Sequence, residues 1–92
     1  MSVSIDEYGV VRHGERWAAL PQAEQTVMRM LLSRIDSVVS GRELSRALWP
    51  ERDEDPVHRP LNVVIHRLRK RIGPLGLTIT TIRSQGFLLH AA

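Results

Sequence analysis

Between Pro60 and the Gly73-Pro74 stop, apolar residues fall at Leu61, Ile65, Leu68 and Ile72, spaced by three and four. On a helical wheel the other three lie within about 40° of Leu61, so one side of a helix must be buried. The remaining positions carry Asn62, Val63, Val64, His66, Arg67, Arg69, Lys70 and Arg71, with no acidic residue among them. Such a helix needs a core behind it and leaves a cationic surface in front. Asn62, Val63, His66, Arg67 and Lys70 fall on the outward side, with Arg69 and Arg71 on the two flanks. A residue before proline is pushed out of the α region, so Arg59 is expected outside the helix and Pro60 at its first position. Arg59 joins the outward face if the first turn is helical.

The charge is segregated along the chain. Residues 1–55 carry a net −3, residues 56–92 a net +6, and the whole a net +3. Arg59, Arg67, Arg69, Lys70, Arg71 and Arg83 supply the basic part. A one-sided positive field attracts a polyanion better than a mixed surface does. Ninety-two residues suffice for a single domain, and 42% hydrophobic residues suffice for a small core. There is no cysteine, which excludes disulfides, thiolate metal sites and thiol catalysis and fits a reducing cytoplasm. No apolar run has the length of a membrane span or signal-peptide core.

The first twenty residues carry the alternation and turn signals of short antiparallel strands: Val3 and Ile5, then Val10-Val11-Arg12 between Tyr8-Gly9 and His13-Gly14, then Glu15 to Leu20. Tyr8 and Trp17 are expected in the core or on a sheet face. Pro21 opens a helix from about Gln22 to Arg34 with Val27, Met28, Leu31 and Ile35 as its apolar repeat, and Glu24 near its N-terminus. Ser37-Val38-Val39 is expected as an extended link. Ser40-Gly41-Arg42-Glu43 has the spacing of a capping box, opening a helix that stops at Pro50 with Leu48 and Trp49 toward the core. An acidic loop, Glu51 to Asp55, leads to the basic helix. Leu77 to Ile82 is rich in β-branched residues, Arg83 to Gly86 form a turn, and Phe87-Leu88-Leu89 form a return strand.

The outward face of the basic helix has the parts that groove reading requires. Arginine bonds guanine bidentately, asparagine bonds adenine, and an exposed valine packs on a thymine methyl. Flanking arginines suit phosphates, which fix register without carrying sequence information. A short capped helix followed by a basic helix is the order of a helix-turn-helix, here with a longer connection. The closing hairpin then forms a wing, its tip arginine, Arg83, suited to an adjacent minor groove or to phosphates. The expected fold is α+β, a winged helix-turn-helix with a short N-terminal antiparallel sheet, three helices and a C-terminal β-hairpin.

Several segments, in this order and spacing, resemble the winged-helix effector domain of OmpR/PhoB-type bacterial response regulators. They are Leu20-Pro21-Gln22-Ala23-Glu24, Val38 through Leu44, Leu48-Trp49, Arg59 through Ile72, and Thr81 through Phe87. The likeness runs from about Val3 to His90. It implies a transcription regulator in which the third helix enters the major groove of double-stranded DNA and the wing reaches the minor groove. By position, Arg59, Asn62, Val63, Val64, His66, Arg67 and Arg69 match DNA-facing positions, and Arg83 matches the wing arginine. The loop holding Glu51, Asp53, Glu54 and Asp55 resembles one that meets RNA polymerase in some members. Tandem binding on direct repeats and a bacterial, cytoplasmic, nucleoid-associated location are also implied. The sequence departs from the family pattern at Gln25, usually aromatic, at Asn62, often acidic, and at Val64, Pro60 and Ser84, the last standing where a wing glycine is common. No receiver domain fits in 92 residues, so residues 1–92 are expected to be one domain, the C-terminal part of a longer regulator or a stand-alone relative.

The competing reading is a winged helix that contacts proteins, attached to a sensor or enzyme domain; the segregated charge counts against it. An enzyme is not expected. His13, His58, His66 and His90 form no close ligand pair in sequence, and there is no nucleophile motif, carboxylate pair or phosphate-cradling glycine loop. No metal, cofactor or membrane partner is expected.

Overall fold

The computed structural model describes residues 2–51 and 58–91. Three short strands, β1 (Val3–Ile5), β2 (Val10–His13) and β3 (Arg16–Ala19), form an antiparallel sheet in chain order. Register pairs Val11 with Ala18 and Arg12 with Trp17. Because successive side chains point to opposite faces, the fully buried Val11 sends Arg12 and Trp17 outward. Trp17 is thus a sheet-face residue, 66% exposed, whereas Tyr8 stands in the β1–β2 turn at 77% exposure and belongs to neither core nor sheet face.

Helix α1 (Gln22–Ser33) begins after Pro21 and buries Val27, Met28 and Leu31, as the spacing predicts. Ile35 is a correction: it lies past the helix end and is exposed. The chain has to turn here. Asp36 adopts a φ of 66° and donates its N–H to the Leu89 carbonyl at 2.9 Å, directing the backbone into β4 (Val38–Val39). The expected link at residues 38–39 is therefore a strand. It pairs antiparallel with β6 (Gly86–Ala91), which pairs on its other side with β5 (Leu77–Ile82). The wing is a three-stranded sheet in the order β4-β6-β5.

Helix α2 (Gly41–Leu48) starts with both halves of the capping box. The Glu43 N–H donates to Ser40 Oγ at 3.1 Å, and the Ser40 N–H donates to Glu43 Oε2 at 3.0 Å. Leu48 and Trp49 pack partly buried against the core. Helix α3 (His58–Ile72) begins earlier than the proline rule predicts, so Arg59 is helical and Pro60 is the third residue rather than the first. Proline is tolerated there because the first four N–H groups of a helix have no intrahelical acceptor. After Ile72 a 3₁₀ turn over Gly73–Leu75 leads, through the left-handed Gly76, into β5.

Helix α1 packs on both α2 and α3. Leu61, Ile65, Leu68 and Ile72 are at most 2% exposed and meet Val27, Met28, Leu31, Leu44 and Leu89 in one core. Each such side chain contributes roughly 1.5–3 kcal/mol on burial. Polar ties close the periphery. Arg71 Nε donates to Glu24 Oε1 at 2.6 Å, joining the last turn of α3 to the first turn of α1, and Glu24 is itself buried. His13 Nδ1 donates to the Leu75 carbonyl at 2.5 Å, and an Arg16 guanidinium nitrogen donates to the Pro74 carbonyl at 2.6 Å. These two bonds fix the N-terminal sheet to the turn between α3 and the wing.

Two outcomes follow from this packing. A Cβ on Gly86 would lie 2.1 Å from the Val39 carbonyl oxygen, a backbone atom that cannot swing aside, and Gly86 also has a φ of 148°. Gly86→Ala is expected to separate β4 from β6 and lower stability by at least about 1–3 kcal/mol, measured by urea denaturation. Arg71→Ala leaves a buried carboxylate without its charged donor and is expected to cost roughly 1.5–3 kcal/mol in the same measurement. A loss below the error of the assay would remove Arg71 from the list of structural ties.

Candidate nucleic-acid interface

The rotation of α3 is set by its buried stripe, and the opposite side emerges as the wheel predicts. Asn62, Val63, His66, Arg67 and Lys70 are all exposed, Val63 at 42%. Val64 is half-buried and packs against the core, which removes it from the outward set. The side chains of Asn62, His66, Arg67 and Lys70 make no hydrogen bond or ion pair among the described residues. Their donors and acceptors point into solvent around a single apolar residue. The side chain of Arg59, together with Asp53, Glu54 and Asp55, lies outside the described residues; Glu51 is exposed.

The two flanking arginines differ from the rest: both have partners within the fold. Arg71 is bound to the Glu24 carboxylate. Arg69 is half-buried and reaches away from the outward face. Its Nε donates to the Ile79 carbonyl at 2.9 Å and its Nη2 to Thr81 Oγ1 at 2.9 Å. No periodicity signals either pairing, since each joins residues distant along the chain whose apposition depends on how the elements pack.

The wing places Arg83 at the tip of the β5–β6 turn, exposed and without a partner among the described residues. Ser84, next to it, adopts a φ of 66°, a left-handed conformation that disfavours residues with a Cβ. The family's usual glycine would take it without that cost. An open groove runs between the wing tip and the N-terminus of α2, bordered by Ser40, Gly41, Thr81, Ser84 and Gln85. Elsewhere, Gln25 uses its amide to donate to the Leu20 carbonyl at 2.8 Å, a polar contact at a position where the family usually has an aromatic ring.

The α2 end of the groove is held by charge as well as by caps. The Ser40 backbone N–H, then the Arg34 guanidinium at 2.8 Å, hold the Glu43 carboxyl below the usual carboxylate range. Asp6 is likewise lowered, first by the Arg12 side chain and then by the Val10 N–H. A carboxyl lowered on folding adds stability above its unfolded pKa and loses it as the pH falls through the folded value. Both sites therefore weaken as the pH falls from the ordinary carboxylate value through the lowered one, so neither switches the fold near neutrality.

Taken together, the site is a solvated row of unpaired polar and basic groups on a rigid helix, beside a hairpin with one more free arginine. Among the described residues no helix is long and apolar enough to cross a membrane.

Similarity to known proteins agrees with this geometry. Residues 14–89 match the family described as "Transcriptional regulatory protein, C terminal". Among solved structures, the C-terminal domain of the nisin resistance regulator NsrR, a lantibiotic response regulator, is 32% identical. The match covers 95% of this chain and 89% of that one, with a TM-score of 0.79. The Klebsiella pneumoniae RstA DNA-binding domain, solved in complex with the RstA box, is 25% identical over 96% of this chain and 90% of that one, with a TM-score of 0.76. The DNA-binding domain of CpxR from E. coli, 20% identical with full coverage of both chains and a TM-score of 0.70, shares the fold. No curated protein matches the chain. With the family match spanning most of its length, the chain belongs to the OmpR/PhoB-type C-terminal domains of transcriptional regulators, which are sequence-specific DNA-binding winged helices.

Proposed function

We propose that α3 lies in the major groove of double-stranded DNA with Asn62, Val63, His66 and Arg67 toward the base edges. Lys70 and, at the start of the helix, Arg59 contact the flanking phosphates, and Arg83 reaches the adjacent minor groove or its phosphates. The observation that carries this assignment is the row of exposed, unpartnered polar side chains around Val63 on a helix whose other side is locked into the core. Bidentate arginine contacts, an asparagine and a small apolar contact on thymine suffice for base readout. Absence of acid from residue 56 onward keeps repulsive charge off this half of the chain.

The acidic loop around Glu51, Asp53, Glu54 and Asp55 is proposed to face RNA polymerase, since it carries the opposite charge to the DNA-facing half. Binding in tandem on direct repeats, a cytoplasmic location with association to the nucleoid when bound, and a role as one domain of a longer regulator complete the reading. Family membership supports them all. A protein-contact module without DNA affinity would not need an unpaired cationic row beside an acid-free wing.

Selection of bound duplexes from a random pool tests the reading and supplies the site. On that site, Arg67→Ala is expected to weaken binding by about 1–3 kcal/mol and to relax preference at one base pair. Fluorescence titration against the selected and singly altered duplexes measures both, and an unchanged affinity removes Arg67 from the base-reading set. Arg83→Ala is expected to lower the slope of log affinity against log salt by about 0.9, the loss of one phosphate neutralised. An unaltered slope would place Arg83 away from the backbone.

A further inference from the structure

Strand β5 is the edge of the wing sheet, paired only with β6. Buried Leu77 and Ile79 hold the first part of β5 in the core, whereas Thr80 and Thr81 toward the tip are exposed, and an edge strand has backbone groups that no ladder satisfies. The wing tip carries Arg83 only two residues past Thr81 and one residue before the left-handed Ser84. A contact that fixes the exposed end of β5 therefore bears directly on where Arg83 stands relative to α3.

Arg69 makes that connection. It is half-buried on the flank of α3, and its guanidinium spans the gap to β5 with two bonds of 2.9 Å, Nε to the Ile79 carbonyl and Nη2 to the Thr81 hydroxyl. The fork geometry of a guanidinium suits this use, because a planar group with two parallel donors fixes both position and orientation. Ile79 is buried beside the contact, so one bond anchors the strand at its core end and the other at its exposed end, toward the tip.

We infer that Arg69 is a positioning residue for DNA recognition. It locks the wing to the reading helix through Ile79 and Thr81, so that the contacts of α3 and of Arg83 are made in one fixed relation. It does not itself neutralise a phosphate. The inference rests on the DNA-binding reading of α3 and the wing.

Arg69→Lys keeps the charge and removes the fork. Thr81→Val removes the acceptor and changes no charge. In the original chain, Arg83→Ala is expected to cost about tenfold in affinity for the selected duplex, as for one charge-assisted bond. In the Arg69→Lys or Thr81→Val background the same change is expected to cost less than about twofold, because the arginine is no longer held in place. The salt slopes are the sharper readout. Each single variant lowers the slope by about 0.9, and combining either with Arg83→Ala lowers it no further. Hydrogen exchange of the backbone amides of residues 77–82 in the free protein is expected to quicken in Arg69→Lys and Thr81→Val.

A direct phosphate role for Arg69 predicts the opposite pattern. Lysine then retains most of the affinity, Thr81→Val changes nothing, and Arg83→Ala costs the same in every background. Any of these results overturns the inference, as does unaltered exchange in β5. If the original chain selects no duplex, the DNA reading itself fails, and the exchange measurement still reports whether the lock exists.

Discussion

Burial of Leu61, Ile65, Leu68 and Ile72 fixes the rotation of α3, and every other functional feature is measured from that rotation. Each is at most 2% exposed in a core shared with α1 and α2. A turn of the helix by one residue, about 100°, would bury charge and expose the stripe. The cost of burying an unpaired arginine exceeds what any one of these apolar contacts contributes, so the angle is held more firmly than packing alone would hold it. A reading head needs this property, because a helix that can roll presents a different row of donors at each angle.

Given that rotation, the basic residues sort by partner rather than by position on the wheel. Arg67 and Lys70 face water unpaired. Arg71, one residue further on, is turned toward the N-terminus of α1, where the Glu24 carboxylate sits buried in the first helical turn. Arg69 faces the wing. The three directions follow from helical spacing once neighbours surround the helix: one side meets α1, another meets β5, and the remainder meets solvent. Side chains that tie the fold together and side chains that face solvent thus share one basic segment.

The fold was legible in the sequence where local signals and burial agree. The stripe of α3 gave its buried face, Ser40 and Glu43 gave the start of α2, and the β-branched run with its turn gave the wing hairpin. Legibility failed where the decisive partner is remote. Val38 and Val39 have no feature to distinguish a link from a strand until β6 lies beside them. Ile35 fits the apolar repeat of α1, but the chain must leave the helix to reach β4, and Asp36 makes that turn. The proline rule placed the start of α3 two residues late, because a first turn tolerates proline wherever N–H groups are free anyway. At the interface, the outward row was readable from periodicity, whereas the fates of Arg69 and Arg71 depended on Ile79, Thr81 and Glu24, which no spacing connects to them.

The distinction between the two flanking arginines has an electrostatic consequence. Arg71 is matched by a carboxylate, so at a distance the pair contributes a dipole and little net field. Arg69 is bonded to a carbonyl and a hydroxyl, both neutral, so its positive charge survives in full although two of its five N–H donors, Nε–H and one on Nη2, are engaged. A polyanion approaching from beyond a Debye length, about 8–10 Å at ordinary salt, is therefore attracted by Arg69 together with Arg67, Lys70 and Arg83. Arg67, Lys70 and Arg83 have all their donors open to solvent, whereas those of Arg69 that face β5 are held there. The net +6 of residues 56–92 counts Arg71, whose charge the Glu24 carboxylate offsets, so it overstates the field this face presents.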